Sequence, residues 1–146
     1  SGLSVESLPP GVHCIDGGIG KGEYTGTNVI LVLLSGGIKQ TGKDSFNFRG
    51  PSNLVDANGH QFGGLVFYAP PSNTSEFQFG GNSNAYLQGL FLAPGAACDI
   101  GGNPSEIAYR TAFVCYTIKD HGHTALQITY NPAELLHASP SLDLIR

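Results

Sequence analysis

Acid–base and metal-ligating side chains are densest at Asp120-His121-Gly122-His123. Extended, that stretch would carry His121 and His123 on one side, because successive strand residues alternate. With a carboxylate nearby, the pair would supply two of three protein ligands to a metal ion. Asp16, Asp99 and Arg110 are the other residues on which a polysaccharide-acting enzyme would draw, since such β-helical enzymes cluster Asp, Lys or Arg on one exposed sheet. A plainer reading stands beside each. Lys119 to Thr124 reads as a polar hairpin or coil corner between Ile118 and Ala125, and Asp99, between Cys98 and Ile100, faces away from both. No Ser-His-Asp order stands out and no elbow of glycines frames a serine. The reading is therefore non-enzymatic, without a cofactor, with Asp120, His121 and His123 kept as metal-ligand candidates.

Two further patterns bear on ligand chemistry. Gly17-Gly18, Gly20 and Gly22 lack the Gly-Lys-Ser/Thr ending of a phosphate loop, and the run that follows them is β-branched, not helical. Asp56, Asn58 and His60 resemble part of an oxygen-ligand cation loop without its closing carboxylate, so a turn capped by its own side chains is expected. Tyr68, Tyr86, Tyr109 and Tyr116 are candidates for stacking on sugar rings, the basis of an alternative reading as a carbohydrate-binding module. Their bland role is to close the core with hydroxyls in water. The threonines are scattered and form no ladder for ice.

The elements that would position these residues are short. Gly64-Leu65-Val66-Phe67-Tyr68-Ala69-Pro70 returns as Gly89-Leu90-Phe91-Leu92-Ala93-Pro94 and as Thr111-Ala112-Phe113-Val114-Cys115-Tyr116-Thr117. A second phrase, Phe77-Gln78-Phe79-Gly80-Gly81-Asn82, returns as Cys98-Asp99-Ile100-Gly101-Gly102-Asn103 and more loosely as Leu126 to Asn131. Strand-sized pieces at such regular spacing predict coils of a solenoid, each too small to bury its apolar face alone. The expected fold is all-β: a short right-handed parallel β-solenoid with an irregular, partly helical C-terminal end, the alternative being a β-sandwich. Phe46, Phe48, Phe67, Phe77, Phe79, Leu90, Leu92, Phe113 and Ile128 are assigned to its interior. Residues 1–10 form a lead-in, 11–131 one solenoid-like domain and 132–146 a cap or tail. Ser1-Gly2 without a Met reads as a scar of cloning or proteolysis ahead of an excised domain.

Composition agrees. Only 12% of residues are charged, against about 25% in ordinary soluble domains, and 21 are Gly, while 40% are hydrophobic. A formal charge of -4 with no Lys/Arg cluster argues against nucleic acid. The longest apolar run, Val29 to Leu34, is far below the ~18 residues of a membrane-spanning helix, so direct insertion of this segment is not expected. Its consecutive apolar residues call for a strand shielded on its outer side as well.

The order Pro10-Gly11-Val12-His13-Cys14, then Gly64 to Pro70, Phe79 to Ser83 and Leu87 to Pro94, resembles the Gly-rich C-terminal β region of bacterial Flp/Tad pilus-assembly proteins of the TadG-like group and related cell-envelope proteins. The resemblance runs from Pro9 to Tyr130 and carries no catalytic residues. It implies an exported, extracellular or surface domain, structural or adhesive, that acts through protein contacts in the envelope or pilus or with itself. Export would permit a disulfide. Of Cys14, Cys98 and Cys115, none stands at a metal-ligand spacing, and Cys98 with Cys115, which follow equivalent texts on successive coils, is the preferred pair. Cys14 is then free. Partner contact is expected at the uncapped N-terminal edge, Val12, His13, Cys14 and Ile15.

Overall fold

Apolar runs this short, broken by Gly, Pro and Asn, leave no length in which to wind a helix; extended, they bury alternate residues and bond along both edges. The computed structural model describes residues 7–40, 44–53, 55, 57–59, 63–80, 84–101 and 108–121. Of these, 66% are strand and none is helical. The strands are β1 (Ser7–Leu8), β2 (Gly11–Ile15), β3 (Glu23–Thr27), β4 (Val29–Leu33), β5 (Ile38–Gln40), β6 (Ser45–Arg49), β7 (Leu65–Tyr68), β8 (Glu76–Phe79), β9 (Asn84–Gly101) and β10 (Ala108–His121).

Every pairing among them is parallel, which excludes the sandwich and leaves a β-solenoid of about four turns. Three ladders run down it. The first joins β1, β3, β6 and the start of β9; the second joins β2, β4, β7 and the middle of β9; the third joins the Ile19 bridge, β5, β8 and the end of β9. The long β10 then follows β9 through all three.

Because alternate residues of a strand face opposite ways, each ladder delivers the same positions inward from every coil. In the second ladder Leu31, Phe67, Phe91 and Phe113 lie in register. In the third, Ile19, Ile38, Phe77 and Cys98 do so. Phe67 and Phe91 stack with centroids 4.2 Å apart, and Phe77 meets their edges at 5.4 and 5.9 Å. Phe46 of the first ladder reaches Phe79 of the third at 5.7 Å, so the ladders enclose one core. Burial is worth about 1.5–3 kcal/mol per large apolar side chain, with about 0.5–1.5 kcal/mol more for each well-placed ring pair. Gly26 makes room for this: a Cβ there would lie 2.8 Å from Val29 and 3.1 Å from the Phe48 ring.

Several sequence-based expectations are corrected. Leu90 and Leu92 are half-buried on the outer side, and Phe91 between them is the core residue. A register shift between Leu65 and Phe67, which buries both Val66 and Phe67, sets that parity. The partner of Cys98–Ile100 in the next coil is Ile118–Asp120, not Leu126 to Asn131. Consequently Lys119, Asp120 and His121 are strand, where a turn was expected. The lead-in is not wholly a lead-in, since Ser7 and Leu8 pair with Thr25 and Gly26. Ile128 and the segment 132–146 lie outside the described residues. Ile30, outward yet only 3% exposed, has the shield that its apolar run called for: it lines a cleft with Pro10, Pro51 and Asn53.

The parity is testable. Phe91→Ala should lower unfolding free energy by about 3–5 kcal/mol, and Leu92→Ala by no more than about 1 kcal/mol, in urea denaturation followed by circular dichroism. Equal losses would mean that the assignment of inside and outside in β9 is wrong.

Candidate functional site

Between the first and second ladders the chain turns the same corner in each coil. Asn28 makes that turn alone, in the left-handed conformation (φ 59°) that its short polar side chain tolerates. Two coils on, Gly89 makes it, and a Cβ there would come within 2.4 Å of the Gly64 carbonyl oxygen. The coil between departs from this economy. It inserts residues 50–64, a loop closed at its ends where Gly64 N–H donates to the Pro51 carbonyl (2.7 Å) and Gly50 N–H to that of Gln88 (2.9 Å). Within it Gly59 (φ 82°) follows the turn at Ala57 and Asn58. Insertions in repeat folds concentrate on one face, often the binding one. Here the loop borders two clefts, of about 440 Å³ over Ile30 and about 390 Å³ beside Arg49 and Gln88.

The second cleft opens beside the outer surface of the first ladder, where polar residues stand in columns. Thr25, Asn47 and Tyr86 form one, and Thr27, Arg49 and Gln88 the next. The Tyr86 hydroxyl donates to Gln88 Oε1 (2.8 Å) and accepts from Arg49 Nη2 (3.4 Å). Asn47 Oδ1 accepts the backbone N–H of Tyr86 (3.0 Å), which holds the base of the tyrosine in place. A guanidinium and an amide are thus tethered by one phenol at the mouth of a cleft.

Of the other residues singled out from sequence, Tyr68 lies half-buried on the second face and Tyr116, 77% exposed, beside the break between Cys115 and Thr117 in the β10 ladder. Tyr109 is in register with the buried Leu87. Tyr68 and Tyr86 lie on different faces and do not share one stacking platform; Tyr86 bonds to Arg49 and Gln88, two residues that line the second cleft. Asp120 is exposed near the end of β10, with His121 in register with Gly101, and His123 lies outside the described residues. No group of three or more His, Cys, Asp or Glu suited to a metal occurs among the described residues. Asp16 accepts from the Ser35 hydroxyl (2.6 Å), whose oxygen also takes the Gly17 N–H (3.1 Å), a corner tie between neighbouring coils. Asp99 stands in register with Lys119 on the third face. Arg49, Gln88 and Asn47 escaped sequence reasoning, although the inward pair Phe46 and Phe48 forces Asn47 and Arg49 outward.

No protein-family model, curated protein or solved structure matches the chain.

At the far end of the core, Cys98 and Cys115 are disulfide-bonded, with Cα atoms 6.1 Å apart, and Cys14 is an exposed free thiol. The two cysteines are not ladder partners: Cys98 faces Ile118, and Cys115 faces Ala93. The bond runs from the third ladder of one coil to the second ladder of the next. With the bonded positions separated by 17 in sequence, removal of the bond by a Cys98→Ala/Cys115→Ala double substitution should cost about 3 kcal/mol, while Cys14→Ser should leave stability unchanged. Thiol titration of the oxidised native protein should count one reactive group. A count of three would exclude the bond in solution.

Proposed function

We propose that this chain is a rigid, non-catalytic structural or adhesive module of an exported, surface or pilus-associated bacterial protein, acting through protein contacts. The observation that carries the reading is the outer surface of the second ladder. Cys14, Val32, Tyr68, Leu92 and Val114 follow one another in register, an apolar column across successive coils. Val12 (55% exposed) and Leu34 (50%) flank it on the N-terminal side. At about 4.8 Å per coil the column is roughly 19 Å long. Cys14 and Val114 are exposed and Val32, Tyr68 and Leu92 half-buried; a continuous apolar surface of this kind marks a site of protein association, and a stacked parallel solenoid presents it flat and stiff.

Two further features support the reading. β2 pairs with β4 alone among the described strands, so the edge Val12–Ile15 is open to β-addition by a partner. The Cys98–Cys115 bond suits an oxidising compartment, as does the resemblance to TadG-like envelope proteins.

A photo-crosslinking amino acid placed at Val114, in the full-length protein in its own bacterium, should capture envelope or pilus protein. The same probe at Thr25, on the polar first face, should not. Equal capture from both positions, or none from Val114, would overturn the reading.

A further inference from the structure

We propose that the first face carries a binding site for a carboxylate-bearing saccharide, centred on Arg49, Tyr86 and Gln88 and continued into the neighbouring corner cleft. This site lies on a different face from the apolar column and stands independently of it.

The donors and acceptors of this cluster select its ligand. The proton of the Tyr86 hydroxyl is spent on Gln88 Oε1, and its oxygen receives Arg49 Nη2. Gln88 is left with its amide N–H groups to offer, and Arg49 with the rest of its guanidinium fork. Arg49 is exposed and makes no ion pair with a carboxylate among the described residues. The cluster therefore presents donors and one full positive charge, a set that selects a planar anionic acceptor and suits a bidentate carboxylate.

The cleft supplies the rest of the ligand class. Its volume of about 390 Å³ lies within the range of roughly 300–1,000 Å³ usual for small-molecule pockets. Thr27, Asn28 and Ser52 line it with hydroxyl and amide groups, and Gly50, Gly64 and Gly89 keep its floor open. Small neutral polar groups beside a charged fork fit a polyhydroxylated ring that carries an acid. Tyr86, half-buried and anchored at both its hydroxyl and its backbone N–H, acts as the positioning residue that fixes the two donors before the ligand arrives.

The test is isothermal titration of the 146-residue protein with an oligogalacturonate, and with the same oligosaccharide after its carboxylates have been reduced to alcohols. Binding is expected for the acid and not for the neutral form. Arg49→Gln should weaken it about tenfold or more, because a charge-assisted contact is lost. Tyr86→Phe should weaken it less, with circular dichroism and unfolding midpoint unchanged in both variants. Lys39→Gln, which removes an exposed cation from the third face, should have no effect. The proposal is overturned if the native protein does not bind the acidic oligosaccharide at millimolar concentration, or if the neutral form binds equally well. It is also overturned if Lys39→Gln weakens binding as much as Arg49→Gln, since attraction would then be to overall charge and not to this site.

Discussion

Each coil of this protein can satisfy its backbone only through the coils on either side, and that single requirement governs the rest. Parallel pairing in register places equivalent residues of successive coils side by side, so a side chain that points inward in one coil obliges its neighbour to be compatible in shape. Leu31, Phe67, Phe91 and Phe113 are the result along the second ladder. The close parallel stacking of Phe67 on Phe91, and the edge contacts of Phe77 and Phe79 with Phe91, fill a narrow core with rigid rings. The same requirement sets the outer surface. Whatever the core does not claim is also delivered in columns, which is why an apolar column and a polar one lie on separate faces and do not mix.

Corners must be tight for the ladders to stay in register. Gly36 adopts φ 76°, and a Cβ at Gly37 would stand 2.2 Å from the Glu76 carbonyl oxygen in the next coil. At Gly95 the obstacle would be the Pro71 carbonyl at the same distance. Approach of backbone to backbone this close leaves only glycine, and it accounts for much of the glycine content without invoking flexibility. Asn73 secures another corner, its buried amide donating to the carbonyls of Leu33 (3.2 Å) and Gly36 (3.1 Å) in the preceding coil.

Much of the fold was legible because the repeating constraint is written in the residues. The recurrence of Phe77-Gln78-Phe79 as Cys98-Asp99-Ile100 is the observed register itself. What was not legible were matters of parity and of space. Leu90-Phe91-Leu92 is apolar at every position, so alternation could not say which residue faces in; a bulge in the adjoining coil, at Val66, decides it. The third copy of the shorter phrase is hidden in sequence, because Ile118-Lys119-Asp120 keeps only one apolar position of the pattern and Leu126 to Asn131 matches it better. The disulfide pair was read correctly by its recurrence, yet the bond crosses between ladders and does not follow the equivalence that suggested it. The candidate site was scarcely legible at all. Tyr86 was picked as one of four tyrosines, but Arg49 and Gln88, distant in sequence from each other, become neighbours only once the insertion at 50–64 is discounted.

The disulfide between adjoining coils has a mechanical meaning. A solenoid loaded through its chain ends gives way by peeling, one row of backbone bonds at a time, from whichever end is not fastened. Cys98–Cys115 fastens one: tension entering the chain beyond Cys115 passes through the covalent link into the coil of β9 and cannot strip the middle of β10 from it. Among the described residues, the opposite end is held by the two-residue β1 and by β2 along one edge, without such a bond. Under load the molecule is therefore directional, firm at the β10 end and yielding at the β2 end, and the same pull would strip β2 from β4 first.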